Sequence, residues 1–201
     1  MPGDALHSTG VGAGKIEAGR PSAFLRALGG LEGWHGLDPA VRAVAPLATR
    51  IVANKRIRGL LHGDATGIPL HGVLTDVPFG AWWMAQFLDL FPEAGTRRAA
   101  RRLVGVGLLM AVPTALTGLG EWALADGGTR RVGILHATTN GVGILIFLCS
   151  WVARVRGRDD IGARLGWLGG PVLIVGGFIG GYMGRDRSSV RDIASADEIA
   201  D

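Results

Sequence analysis

Four apolar stretches, near residues 68 to 91, 99 to 122, 131 to 153 and 163 to 184, dominate this chain, and each is close to the ~20 residues that a helix needs to cross a hydrocarbon core. Lipid offers the backbone no partner, so each stretch must close its hydrogen bonds within a helix. The separators are short and rich in Arg, which makes consecutive spans run antiparallel. The expected fold is therefore all-α and integral to the membrane: an antiparallel four-helix transmembrane bundle over residues 67–187. Composition agrees, with 48% hydrophobic residues, 19% charged residues and a mean hydropathy of +0.30.

The flanks read differently. Residues 1–37 are expected to form a mostly disordered tail, and the small, polar residues from Met1 to Arg20 contain no apolar run of the kind a cleavable secretory signal needs. Within them, Gly10-Val11-Gly12-Ala13-Gly14-Lys15 imitates a phosphate loop but lacks the correctly placed first Gly and the Ser or Thr after Lys. Over residues 38–66, Val41, Val44, Leu47, Ile51, Ile57 and Leu60 recur at helical spacing against Arg42, Arg50, Lys55, Arg56 and Arg58. That pattern predicts an amphipathic helix lying in the membrane interface. Residues 188–201 read as a disordered acidic tail.

The net charge of +4 and pI near 10.2 do not make a nucleic-acid binder, because the Arg residues bracket the apolar stretches rather than lining one face with interleaved aromatics. They occur on both sides of the spans in similar number, so charge alone does not orient the chain. The long N-terminal segment, which would need help to cross, favours cytoplasmic termini. Cys149 stands alone in an apolar stretch, which excludes a disulfide framework or a thiolate metal site built by this chain alone. Glycine, at 34 residues without a collagen period, points to close helix packing, most of all at Gly166, Gly170, Gly176, Gly177, Gly180 and Gly181.

Ionisable groups inside a span cost roughly 2.5 to 3.5 kcal/mol on insertion scales, so His71, Asp76, Asp89 and His136 each need a reason. In an antiparallel bundle the first and third spans begin on one side, and His71 and His136 each lie a few residues in, at matched depth. Two imidazoles facing across a bundle are a way to hold a haem iron axially, which makes both histidines candidate metal ligands and b haem the candidate cofactor. Polar hydrogen bonding between helices is the competing explanation. Asn140 follows His136 by four residues and Thr75 follows His71 by four, so each imidazole has a polar neighbour on its own helix face. Asp76, near mid-span, completes a candidate cofactor site of His71, Asp76, His136 and Asn140, or else serves as a proton-relay group. Asp89 is expected to reach headgroups or water, and Glu121 to pair with Arg131. No broken helix pair or internal repeat of the transporter type is visible.

From Leu60 to Gly184 the chain resembles the family of bacterial membrane proteins catalogued as domain of unknown function 2231. The residues that carry the likeness are Gly67-Ile68-Pro69-Leu70-His71-Gly72, Thr75-Asp76, Val77-Pro78-Phe79-Gly80, Leu88-Asp89, Pro113-Thr114-Ala115-Leu116-Thr117-Gly118 with Glu121-Trp122, Arg131-Val132-Gly133 leading to His136 and Asn140, and Gly180-Gly181-Tyr182. Ile68 stands where the family motif has its first histidine and Gly72 where it has its second proline, so a role needing both motif histidines is absent. The resemblance implies a bacterial cytoplasmic membrane. Similar domains are fused to, or encoded beside, Rieske iron–sulfur proteins, which implies a redox partner; this chain lacks the paired Cys and His of such a cluster. Three readings remain open: a non-catalytic membrane anchor or accessory subunit near electron transfer, with a b haem or quinone-type site; a cofactor-free membrane scaffold; and a proton-coupled transporter of a small solute.

Overall fold

A computed structural model describes residues 22–91 and 93–199, with side chains described through Gly184. Its elements are α1 (Ala23–Glu32), a single 3-10 turn (His35–Leu37), α2 (Asp38–Val52), α3 (Lys55–His62), α4 (Leu70–Leu88), α5 (Ala94–Trp122), α6 (Gly127–Val155) and α7 (Asp159–Ile199). Three of these helices are long and apolar enough to cross a membrane: α5, α6 and the Asp159–Gly184 part of α7, with mean hydropathies of 1.8, 1.7 and 1.4. The first expected span is a helix, α4, but its 19 residues include His71, Asp76 and Gln86, and composition alone does not make it a span. The membrane reading thus holds through three helices rather than four.

Helices α4 and α5 pack along each other, as do α6 and α7, and the two pairs meet along a seam through α5 with α6 and α4 with α7. The centre of that seam is the stacked pair Trp82 and Phe147, with ring centres 4.5 Å apart and planes 6° from parallel. The Trp82 indole donates to the Val104 carbonyl at 3.2 Å, and Gly107 leaves room for it, since a Cβ there would collide with the ring. One partner thus satisfies the indole N–H while its apolar body fills the core.

Farther along the seam lies a buried ion pair. Arg154 donates through both terminal nitrogens to the two oxygens of Asp89 at 2.7 and 2.6 Å, with side-chain exposures of 1% and 3%. Arg154 Nε also donates to Ser150 Oγ, whose hydroxyl donates to the Gly162 carbonyl at 2.6 Å. Asp89 therefore does not reach headgroups or water as its place near a span end suggested. A guanidinium with a matching fork removes it from both.

The amino-terminal residues depart from the sequence reading. The stretch taken as tail contains α1, capped by Ser22, whose hydroxyl accepts from the Leu25 amide at 3.2 Å, and Leu28 is buried against Val132 of α6 and Ile179 of α7. The single amphipathic helix expected over 38–66 is two, because Asn54 adopts an extended backbone and accepts from the amides of Arg56 and Ile57, starting a new helix. Gly63 ends α3 at φ 71, where a Cβ would also meet the Ile68 carbonyl. The residues facing the bundle are Ala48, Val52 and Leu61, whereas Leu47, Ile57 and Leu60 are exposed. At the other terminus α7 continues to Ile199 where a disordered tail was expected; no Gly or Pro occurs between Arg185 and Ile199, and extending an existing helix avoids the cost of nucleation. Residues 1–21 and 200–201 lie outside the described residues.

Arg131 holds the amino-terminal helices to the bundle. It donates to Asp38 at 2.7 Å and to the Glu32 carbonyl, so it does not pair with Glu121, which instead faces His62 at 3.6 Å. The Arg131 hydrogen bond, with His35 beside it, holds the Asp38 carboxyl below the ordinary carboxylate range. A depressed carboxylate stabilises the fold above its unfolded pKa of about 3.9 and loses that contribution as pH falls through the lower folded value. Amide exchange in α1 and α2 is therefore expected to accelerate below about pH 4, ahead of exchange in α5 to α7, and Arg131→Gln should produce the same pattern at neutral pH.

Breaking the buried pair with Arg154→Ala alone is expected to cost about 3–5 kcal/mol, while Asp89→Leu combined with Arg154→Met should recover most of it, as read by unfolding in detergent.

Candidate cofactor site

His71 sits in the first turn of α4 and His136 in the third turn of α6, and the two meet because α4 and α6 run in the same direction. Their ring centres are 6.5 Å apart and their planes 83° from parallel. Each ring is held by the other helix of its own pair. His71 Nδ1 donates to the Thr114 carbonyl of α5 at 3.0 Å, and His136 Nδ1 donates to the Gly176 carbonyl of α7 at 2.9 Å. A carbonyl only accepts, so each Nδ1 carries a proton, and in a neutral ring Nε2 is then the nitrogen with the lone pair.

Glycines shape the walls. A Cβ at Gly118 would stand 2.7 Å from Cε1 of His71, and one at Gly180 would stand 2.8 Å from Cε1 of His136. Asn140 approaches Nε2 of His136 at 3.2 Å while donating to the His136 carbonyl at 2.9 Å. Thr114 Oγ1 donates to the Leu74 carbonyl at 3.1 Å, tying α5 to α4 beside the site, and Thr117 Oγ1 lies 3.5 Å from Nδ1 of His71.

Of the four residues proposed from sequence, three meet: His71, His136 and Asn140. Asp76 does not join them. Five residues past His71, it is turned about 140° around α4 and is exposed beside Val73 and Val77. Thr75 orients no imidazole either, because its hydroxyl donates to the His71 carbonyl at 2.8 Å. Thr114, Thr117, Gly118, Gly176 and Gly180 were not singled out for the site; Gly176 and Gly180 read as packing, and Thr114, Thr117 and Gly118 only as part of a family motif. Among the described residues no group of three or more His, Cys, Asp or Glu could hold a metal ion.

Comparison with known families places these features in context. A family model described as a predicted membrane protein, domain of unknown function 2231, matches residues 67–195. The chain belongs to that family. The match takes in α4 to α6 and most of α7, hence every residue of the site. Neither a curated protein nor a solved structure matches the chain. Membership and the apolar helices together establish a membrane protein in contact with lipid.

Gly180→Ala is expected to cost about 1–3 kcal/mol and to displace the His136 ring, whereas Gly181→Ala, where a Cβ meets nothing within 4 Å, should be neutral or slightly stabilising. Unfolding in detergent, with nitrogen chemical shifts of the His136 ring, checks both.

Proposed function

We propose that this chain is a non-catalytic membrane anchor or accessory subunit near electron transfer, in which α4 joins α5, α6 and α7 as a fourth spanning helix and His71 and His136 hold a b-type haem iron between them. The observation that carries the reading is the pair of imidazoles 6.5 Å apart, each with Nδ1 bound to a backbone carbonyl, which in a neutral ring makes Nε2 the ligating nitrogen. Histidines that ligate metals commonly donate their other nitrogen in this way, which fixes tautomer and ring orientation. A metal held at about 2 Å by both rings sets their centres about 6 Å apart. A quinone hydrogen-bonded at both ends would need more than about 10 Å, so the spacing supports an iron over the quinone alternative.

The donor count supports haem over a bare ion. Two imidazoles would leave a simple divalent cation short of ligands, whereas a haem iron would ask the protein for only two. Bound there, haem would supply a one-electron couple within the membrane. The chain's own residues orient the axial nitrogens through Thr114 and Gly176, admit the rings beside Gly118 and Gly180, and adjust the His136 environment through Asn140. A redox protein, of Rieske or another type, would be the electron partner. The exposed Leu47, Ile57 and Leu60 of α2 and α3 fit the membrane interface, with the termini on the cytoplasmic side of a bacterial inner membrane.

A cofactor-free scaffold is the second reading, favoured by one observation: each imidazole is bonded to a backbone carbonyl of the neighbouring helix, a tie between helices that needs no ligand. Proton-coupled transport loses its motive, since Asp76 faces outward.

Protein purified in detergent from haem-supplied cells is expected to show a reduced b-type α band, lost in His71→Ala and in His136→Ala and retained in Asp76→Asn. A flat reduced-minus-oxidised spectrum from well-folded protein would refute the haem site and leave the scaffold.

A further inference from the structure

Three contacts across the seam join residues at a fixed separation in sequence. His71 meets His136, Trp82 stacks on Phe147, and Asp89 pairs with Arg154. In each case the partner stands 65 positions later. When every residue of one helix meets its own counterpart on another, the two helices are related by a twofold axis through those contacts.

The outer helices obey a matching rule. The carbonyl that accepts from His71 belongs to Thr114 and the one that accepts from His136 to Gly176, 62 positions later. The same shift carries Gly118, packed on His71, to Gly180, packed on His136, and carries Gly107, packed on Trp82, to Gly169, packed on Phe147. Lipid-facing positions follow too: Val77 and Val142 are exposed, as are Leu116 and Phe178. Side-chain chemistry has diverged along the axis, most of all where Asp89 faces Arg154, a pair that strict symmetry would make two like charges.

We infer that α4–α5 and α6–α7 are two copies of one helical hairpin, related by a twofold axis running along the bundle, and that the site takes a single ligand on this axis with one equivalent bond from each half. The ligand class is a metal centre with two open trans positions, such as the iron of a haem. An off-axis ligand would break the equivalence, and two ligands per chain would leave the axis empty. The ligand part rests on the bis-imidazole reading above; the duplication does not. Both hairpins run in the same direction, so the repeat is of the parallel kind, with its axis across the membrane. Among the identities that survive at paired positions, His71 with His136, Gly107 with Gly169 and Gly118 with Gly180 are residues the site and its packing require.

The test uses full-length protein and two readouts. Haem titrated into the wild type should bind at one per chain with a six-coordinate, low-spin spectrum. His71→Gly and His136→Gly should each give the same five-coordinate spectrum, and free imidazole should restore both at the same concentration. If haem binds but only one variant loses six-coordination, or binds at two per chain, the on-axis ligand is overturned while a haem site survives. If the wild type binds no haem, the bis-imidazole reading and the on-axis ligand fall together.

The duplication is read separately, by spin-label distances in a Cys149→Ala background. Labels at Val77 with Phe178 and labels at Val142 with Leu116 are symmetry-related pairs on exposed positions. Equal distance distributions support the twofold, and clearly different ones overturn it whatever the haem result.

Discussion

A hydrocarbon interior offers no hydrogen bonds, so every polar group carried into it must find its partner inside the protein. The seam between the two helix pairs is organised by that demand. Trp82 donates to Val104, each histidine donates to a carbonyl of the neighbouring helix, and Arg154 distributes its donors over Asp89 and Ser150. Small residues make these bonds possible. Gly118, Gly180, Gly107 and Gly162 stand where a Cβ would collide with the polar or aromatic group beside them. The high glycine content and the buried polar groups are thus two sides of one arrangement: close backbones bring carbonyls within reach of side-chain donors, and missing Cβ atoms admit the side chains.

The same demand gives the histidines their chemistry. Imidazoles facing water exchange protons and partners freely, but here each is committed through Nδ1 to a fixed carbonyl. Their ring orientations are therefore set by helix packing rather than by solvent, the preorganisation that the proposed ligand would require. At the opposite end of the seam, Asp89 and Arg154 neutralise each other with little exposure, so the interior carries two imidazole donors at one end and a compensated pair at the other. A buried pair of this kind adds little net stability but fixes how the two helices meet, because one register alone aligns fork with carboxylate.

How much was legible depended on the distance over which each signal acts. The depth match of His71 and His136 follows from counting residues along antiparallel helices, and Asn140 from a four-residue spacing, so both were readable. Asp76 was misplaced because position along a helix gives depth but not which face turns to the bundle. Arg154 looked like any cation at a span end, and its carboxylate lies 65 residues away, beyond any local pattern. The break between α2 and α3 turned on the extended backbone of Asn54, and α1 was hidden in a stretch whose apolar residues count only once α6 and α7 supply a surface. The repeat escaped notice because most of its paired positions have exchanged residue types.

By itself the sequence determined the membrane location, the helical nature of each apolar stretch and their alternating direction, since these depend on hydropathy and hydrogen bonds within a segment. Tertiary structure decided which polar groups share the seam, that Asp76 stays outside it, and that two hairpins meet about a common axis. Those facts depend on helix rotation and on pairings between distant residues, and a helix's rotation is fixed by what it packs against.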